Sequence, residues 1–452
     1  MYQLIEEVPY EFRLVGEGAA NCVFEVLGYP PDPTHSCLQG NLLRVAKAGK
    51  KSYGHDEIQA YWESVVRPLF RPDDLVRQQL VKLGGRRIVS RLNAVLENEE
   101  STRRVDFRGT RVAEAEYGML VEDMRQRRPG DLTLEFKPKW LVQSPTAPPT
   151  ATRCRNCARE VLKKCQRQPP PPSRQQQSTG NAEASQEEHE GETTILCPLN
   201  FIACATSADS LATLLAHLLP RCNPPRLGPI PRSVSAASAP ASAAAASSSS
   251  LSLQHDRLSR WLQTNTLLPR LRAAQLTCSS SSSPSLLFSL PSPPASSSSC
   301  RPFPTALSPP SPGRETPHLH RPPSPPASSP SLLAAHAPPP GPPARPGDAG
   351  AFAGEAAESL ALAMTLRDCT CFIRIPADPS QPVEAKLADL DRKRGDVKLS
   401  YWQKTERELI EGGFYFDQRA VEAGVAVDCW LGRLKTLLER GEDGAGGGGG
   451  GG

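Results

Sequence analysis

Residues 134–140 read LEFKPKW. The surrounding LTLEFKPKWL (132–141) has the composition of a strand. In an extended chain alternate side chains share a face, which would put Glu135, Lys137 and Lys139 together. Two lysines on one face with a proline between them have two readings: a solvated strand face, or one wall of a polyphosphate site. Which holds depends on what the rest of the chain brings to them.

The chain has 452 residues, enough for one large or two modest domains. Its 47 prolines crowd, with serine and alanine, into one region, so only part of the length can be packed. A net charge of +4 does not by itself announce a nucleic-acid binder, and any anion site must come from local clustering. The N-terminus lacks a basic stretch followed by an apolar one, so no signal peptide is expected. No apolar run reaches the length of a membrane span. Thirteen scattered cysteines in such a chain suggest reduced thiols, some bound to metal, in cytoplasm or nucleus.

Residues 1–126 read as a mixed α/β unit. Phe24, Val26, Leu43 and Val45 alternate as in strands. DEIQAYWESVVRPLF (56–70) has helical spacing with Asp56 as N-cap, and LVRQQLVKL (75–83) is expected as a second short helix. EYGMLVEDM (116–124) reads as a buried strand. Residues 127–223 continue the fold, interrupted by a polar insert over 165–192, and SADSLATLLAHLL is a capped amphipathic helix. Residues 224–355 are dominated by Pro, Ser and Ala and are expected to be disordered, because they cannot bury enough apolar surface to offset chain entropy. Within them HDRLSRWLQTNTLLPRLRAAQL (255–276) is amphipathic and could dock on the folded part. Order returns over 356–440, with a strand in the CFIRI stretch, another in VEAKL, and a helix in YWQKTERELIEGG; 441–452 is a glycine tail.

Several motifs carry chemistry. VGEGAANCVFEV (15–26) is a glycine-bearing hairpin that could lie over phosphates, or a plain β-turn; it is neither GxGxxG nor a Walker A loop. In LLRVAK (42–47), Arg44 points away from Leu43 and Val45. RCRNCAREVLKKCQR (153–167) is densely basic. If helical, Arg155, Arg159 and Lys163 form a stripe suited to a multiply phosphorylated ligand. The same stretch holds Cys154 and Cys157 at CxxC spacing, with Cys197 later: three candidate Zn²⁺ ligands and no evident fourth. In ADLDRK (388–393), Asp389 and Asp391 share a face with Lys393 beside them, and such acids can hold Mg²⁺ or orient a hydroxyl.

The order EGAAN, LLRVAK, LVEDM, EFKPKW, CRxCA, CPL, AMTLRDC, DLDxK resembles the inositol-pentakisphosphate 2-kinase family, in its filamentous-fungal form, over roughly residues 10–222 and 356–415. The resemblance implies an α+β, two-lobed inositol-polyphosphate kinase fold distantly like protein kinases. It implies ATP-dependent phosphorylation of the axial 2-hydroxyl of inositol 1,3,4,5,6-pentakisphosphate, giving the hexakisphosphate. Gly16, Gly18, Ala19 and Asn21 then resemble the loop over the ATP phosphates. Arg44 resembles the phosphate-contacting cation, and Glu122 and Met124 fall at the adenine hinge. Lys137 matches the essential lysine and Asp389 the catalytic aspartate. Lys139 and Lys163 match substrate-phosphate contacts, with Arg155, Arg159 and Lys164 completing a basic wall. Asp391 and Glu406 are the candidate Mg²⁺ ligands. The family's CRxCMHQ is CRNCARE here, with Arg159–Glu160 in place of His-Gln, and its DLDLKP is DLDRKR. A monomer is expected, without membrane or nucleic-acid partners, nuclear by family role. The competing reading is a catalytically degenerate interaction protein that uses the Pro/Ser tract to bind partners. An ordinary protein kinase is excluded by the lack of HRD and DFG motifs.

Overall fold

A computed structural model describes residues 2–31, 33–49, 52–167, 195–222, 241–281, 349–422 and 427–444. The polar insert, most of the Pro/Ser tract and the glycine run beyond Gly444 lie outside them. Residues 289–353 separate as a second unit, of which only the first turn of a helix (349–353) is described; everything below concerns the first unit.

Two sheets organise that unit. The first has β1 (Tyr2–Gln3), β2 (Glu11–Glu17), β3 (Asn21–Leu27), β4 (Asn41–Ala46), β5 (Gln78–Lys82) and β6 (Tyr117–Glu122), in the order β1-β5-β6-β4-β3-β2. All its pairings are antiparallel except β1 with β5. In β3 the buried residues alternate: Cys22, Phe24 and Val26 face a core that also takes Leu43, Val45 and Leu120. Helix α1 (His55–Tyr61) starts one residue before Asp56, capped by Gly54. It then loosens into a π-turn (Trp62–Val66) and a 3₁₀ turn (Arg67–Leu69) at Pro68, which lacks the N–H a continuing helix needs.

The segment 75–83 is not a helix but contains strand β5, whose partner β6 aligns Gln78 with Val121 and Lys82 with Tyr117. Pairing along a whole neighbouring strand outweighed the weak helical preference of its Gln, Leu and Lys residues. A helix not anticipated from the sequence, α2 (Arg86–Asn98), follows the left-handed pair Gly84–Gly85 and buries Ile88, Val89, Leu92 and Leu96. That spacing was readable.

The second sheet is β7 (Leu132–Phe136), β8 (Thr370–Ile375) and β9 (Glu384–Ala388), in that order and antiparallel. Because β8 runs opposite to its neighbours, its beginning lies beside the ends of both. Phe136 pairs with Cys371, and Ala388 pairs with Thr370. The residues just after β7, just before β8 and just after β9 therefore meet at one edge. The sheets are joined beside that edge, where the Val76 N–H donates to the Leu387 carbonyl at 2.9 Å.

The helices that follow are α3 (Arg155–Arg167), α4 (Asn200–Ala203), α5 (Ala208–Leu218), α6 (Ala241–Thr264), α7 (Leu267–Ser281), α8 (Ala349–Leu366), α9 (Gly395–Glu411), α10 (Asp417–Glu422) and α11 (Trp430–Gly444); apolar residues of α4 to α8 share one core with the second sheet, while α3 and α9 to α11 gather in two smaller clusters. Ser207 caps α5 by accepting from the Ser210 N–H at 3.2 Å. The amphipathic segment of the Pro/Ser tract is two helices rather than one, broken at Asn265–Thr266. Its apolar side is inside the core: Leu258, Leu262, Leu268 and Leu271 are at most 1% exposed. So at least 254–278 is not a dispensable part of the tract.

Gln275 shows why. It is fully buried on α7. Its amide donates to the carbonyls of Lys139 (2.9 Å) and Leu366 (3.0 Å), and its carbonyl accepts from the Leu141 N–H (2.9 Å). Gln275→Leu leaves three buried backbone groups unpaired and is expected to cost about 2 kcal/mol or more of folding stability. Denaturant unfolding checks this; a loss within about 0.5 kcal/mol, as for a surface change, would show that the bridge is immaterial.

Candidate active site

The meeting edge of β7, β8 and β9 carries a cluster of charges. Lys137 Nζ is 2.9 Å from Asp389 Oδ2, donates to the Asp368 carbonyl at 2.8 Å, and stands 3.5 Å from Asp368 Oδ1. Lys139 Nζ reaches the same Oδ1 at 3.0 Å, and Lys393 Nζ reaches Oδ2 at 3.2 Å. One carboxylate, Asp368, thus gathers three ammonium groups. Burial raises its pKa, but Lys393, Lys139 and Lys137 outweigh that and hold it far below the usual carboxylate range. With Asp389 included, three ammoniums face two carboxylates, all partly open to solvent: a site with spare positive charge for an anionic ligand.

The backbone there is unusual. Lys139 (φ 57°) and Asp389 (φ 57°) are the non-glycine residues with positive φ among the described residues. Strain of this kind collects where surrounding structure fixes a side chain's direction. Lys139 lies beyond the end of β7, so the left-handed turn, not the strand alternation expected from sequence, aims it at Asp368.

Above this edge, Arg44 on β4 forms a two-pronged ion pair with Asp391, one prong at 2.9 Å. Both side chains are mostly buried. Burial lowers the pKa of Arg44, but Asp391 outweighs it; burial raises that of Asp391, but Arg44 outweighs it, so both remain charged. Asp389 and Asp391, two residues apart, thus take different partners, one from each sheet. His55 is buried near this pair, its Nε2 without a partner. Burial first, and Arg44 second, push its imidazole down to about 4. The unfolded chain then binds a proton between about pH 6.5 and 4 that the folded chain does not. The contribution is therefore fully present above pH 6.5 and lost as pH falls through that window. His55→Asn is expected to flatten that part of the stability–pH curve, by up to about 3 kcal/mol; an unchanged acid limb would contradict it.

The glycine hairpin joins β2 to β3. The Gly18 N–H donates to the Asn21 carbonyl at 2.9 Å, and Ala20 accepts from the Lys47 N–H at 2.8 Å. A register shift falls between Leu14 and Gly16, and a Cβ at Gly16 would meet nothing within 4 Å. Glu17 anchors the turn from beneath, 2.7 Å from Lys47 and 2.6 Å from Arg103, both buried. Burial raises the Glu17 pKa, but Arg103 and Lys47 outweigh it. Ala19 sits in the turn.

Other expected residues fall elsewhere. Glu122, the last residue of β6, is not free to meet a ligand: Lys386 holds its carboxylate at 2.7 and 2.8 Å. Met124 is buried just beyond. Glu406 does not join the acids near Asp389. It is 1% exposed and accepts from Arg155 (2.6 Å), Tyr415 (2.7 Å), Thr146 (2.7 Å) and Ser144 (3.1 Å), so neither oxygen is left for Mg²⁺. The stripe on α3 divides for the same reason. Arg155 is buried between Glu406 and the face of Trp140, and cannot line a substrate wall. Arg159 extends outward to the Tyr401 hydroxyl at 2.8 Å, and Lys163 pairs with Glu160 at 2.6 Å. Sequence reading left Asp368 and Lys393 without roles, although they lie in the RDC and DLD blocks. The three cysteines have a fourth neighbour, Cys429.

Comparison with known proteins bears directly on this edge. The family model described as inositol-pentakisphosphate 2-kinase matches residues 14–408, which include the hairpin, Arg44, Lys137, Asp368 and Asp389. The chain belongs to that family. A curated relative, the inositol-pentakisphosphate 2-kinase of Yarrowia lipolytica, is 42% identical over 53 residues, 12% of this chain and 17% of that protein.

Proposed function

We propose that this protein transfers the γ-phosphoryl group of ATP to the axial 2-hydroxyl of inositol 1,3,4,5,6-pentakisphosphate, giving the hexakisphosphate. The observation that carries the reading is Lys137 held between Asp389 and Asp368 at the edge where the family's EFKPK, RDC and DLD blocks converge. The two sheets act as the two lobes of an inositol-polyphosphate kinase, with the nucleotide between them. The Gly16–Asn21 turn lies over its phosphates, where the open side of Gly16 admits close approach. Adenine is met by the backbone of 122–124, since the Glu122 side chain is committed to Lys386.

In the reaction the hydroxyl oxygen attacks phosphorus in line as the bond to the ADP oxygen breaks, its electron pair leaving with ADP. Asp389 accepts the hydroxyl's hydrogen bond, orients it, and takes the proton late. Lys137 offsets charge on the transferring group, while Lys139 and Lys393 turn from Asp368 to the inositol phosphates. Arg44 does the same for the nucleotide. Asp391 would hold Mg²⁺ only once Arg44, which engages both of its oxygens, turns to the nucleotide. When bound it neutralises charge across the phosphates.

The test is incubation of the full chain with Mg-ATP and the pentakisphosphate, with products separated by anion exchange. Hexakisphosphate from the wild type and none from Lys137→Ala is the expected result. A folded wild type that gives no product overturns the reading.

A further inference from the structure

One charged residue of the second sheet has no part in the chemistry described so far. Arg374 lies on β8, the middle strand, and is 1% exposed. It stands opposite Glu384 in register, and Phe372 stands opposite Lys386, so these four side chains share one face of β8 and β9. The other face, with Cys371, Ile373 and Leu387, belongs to the apolar core. An arginine is almost never buried so completely unless its donors are used.

Here they are used on the chain that joins the two sheets. One end of the guanidinium pairs with Glu384. The other donates to the carbonyls of Arg125 at 2.9 Å and Asp123 at 3.4 Å. Residues 123–131 leave β6 and belong to no strand until β7 begins, so their carbonyls lack the partners a sheet would give them. Arginine, with five donors in a planar fork, can meet carbonyls and a carboxylate at once. The same sheet face pins the crossing at two further points. Lys386 holds Glu122 at 2.7 Å, and Glu384 takes Arg127 at 2.9 Å. β8 thus carries the crossing chain near its end, while Asp368 lies two residues ahead of its beginning.

We propose that Arg374 is a positioning residue for the nucleotide: by holding the backbone of 123–125 to β8, it fixes where adenine sits relative to the edge where the phosphoryl group moves. The proposal rests on the reading of 122–124 as the adenine contact. Arg374 touches neither ligand in this role. It acts through the crossing chain, and its effect falls on ATP rather than on the inositol phosphate, which is held at the opposite end of β8.

The test is steady-state kinetics of the full chain with each substrate varied in turn, for the wild type, Arg374→Lys and Glu384→Gln. Lysine keeps a charge but cannot span the two carbonyls and the carboxylate. Arg374→Lys is expected to raise KM for ATP about tenfold and to leave KM for inositol pentakisphosphate within about twofold. Glu384→Gln, which keeps the guanidinium but removes its counter-ion, should raise KM for ATP about threefold. Titration of Mg-ADP by calorimetry should show the same losses without turnover. A merely structural role would reduce the active fraction and leave both KM values as they were. Should Arg374→Lys not fold, Glu384→Gln, at a partly exposed residue, decides. A wild type that makes no hexakisphosphate fails the kinase reading itself. An active wild type whose folded variants keep their KM for ATP, or raise both KM values together, overturns the positioning role alone.

Discussion

Asp389→Asn is expected to lower kcat for inositol pentakisphosphate by about 10³-fold, with KM shifted only a few-fold. The amide has nearly the same shape but cannot take the hydroxyl proton. Asparagine is also the best-tolerated substitute in the left-handed conformation that residue 389 adopts, so the edge of the sheet should stay in place. The surface-facing contact with Lys137, at 2.9 Å between groups that are both more than a third exposed, is worth little to stability. A large fall in rate with an unchanged unfolding curve therefore assigns the loss to chemistry. A variant within tenfold of wild type would remove Asp389 from the proton's path.

Glu406→Ala is expected to produce the largest loss of stability of any single change discussed, about 3–5 kcal/mol. The carboxylate is buried against Arg155 at 2.6 Å, and Tyr415 and Thr146 both donate to it at 2.7 Å. Removing it strands a guanidinium over Trp140 with no counter-ion and takes their acceptor from three hydroxyls, those of Tyr415, Thr146 and Ser144. Converting both partners to leucine should recover part of the loss, because no unpaired charge then remains. Denaturant unfolding of the three variants checks both statements. A loss under about 1 kcal/mol for Glu406→Ala would mean that water or another acid replaces it, and the account of α3 would fail with it.

Much of the second sheet was legible in the chain, because EFKPK, CFIRI and VEAKL are short and bounded by turn residues. What strand patterns cannot supply is their order in space. β8 lies between β7 and β9, and that antiparallel placement alone brings Asp368 to Lys137, Lys139, Lys393 and the end of β9. β5 was misread as helix because its helix-compatible residues gain a full strand partner only in the fold. Arg155 and Glu406 were misread because a stripe of charges on a helix looks the same whether one end is buried or not. Cys429 could not be matched to a CxxC pair 272 positions earlier by spacing. The helical piece of the Pro/Ser tract was visible through its leucines. Its break at Asn265–Thr266, and the bridge from Gln275 to the loop bearing Lys139, depend on the surface it packs against.

The most direct measurement is a single-turnover reaction. Enzyme in excess is mixed with inositol pentakisphosphate and ATP labelled in the γ-phosphate, and label in hexakisphosphate is followed with time for the wild type, Lys137→Ala and Asp389→Asn. The wild type should move label from ATP to the inositol ring, and both variants should leave it in ATP although they bind the two ligands. Label that stays in ATP with the folded, ligand-bound wild type, or that moves equally well in Asp389→Asn, would contradict the assignment of this edge as the site of phosphoryl transfer.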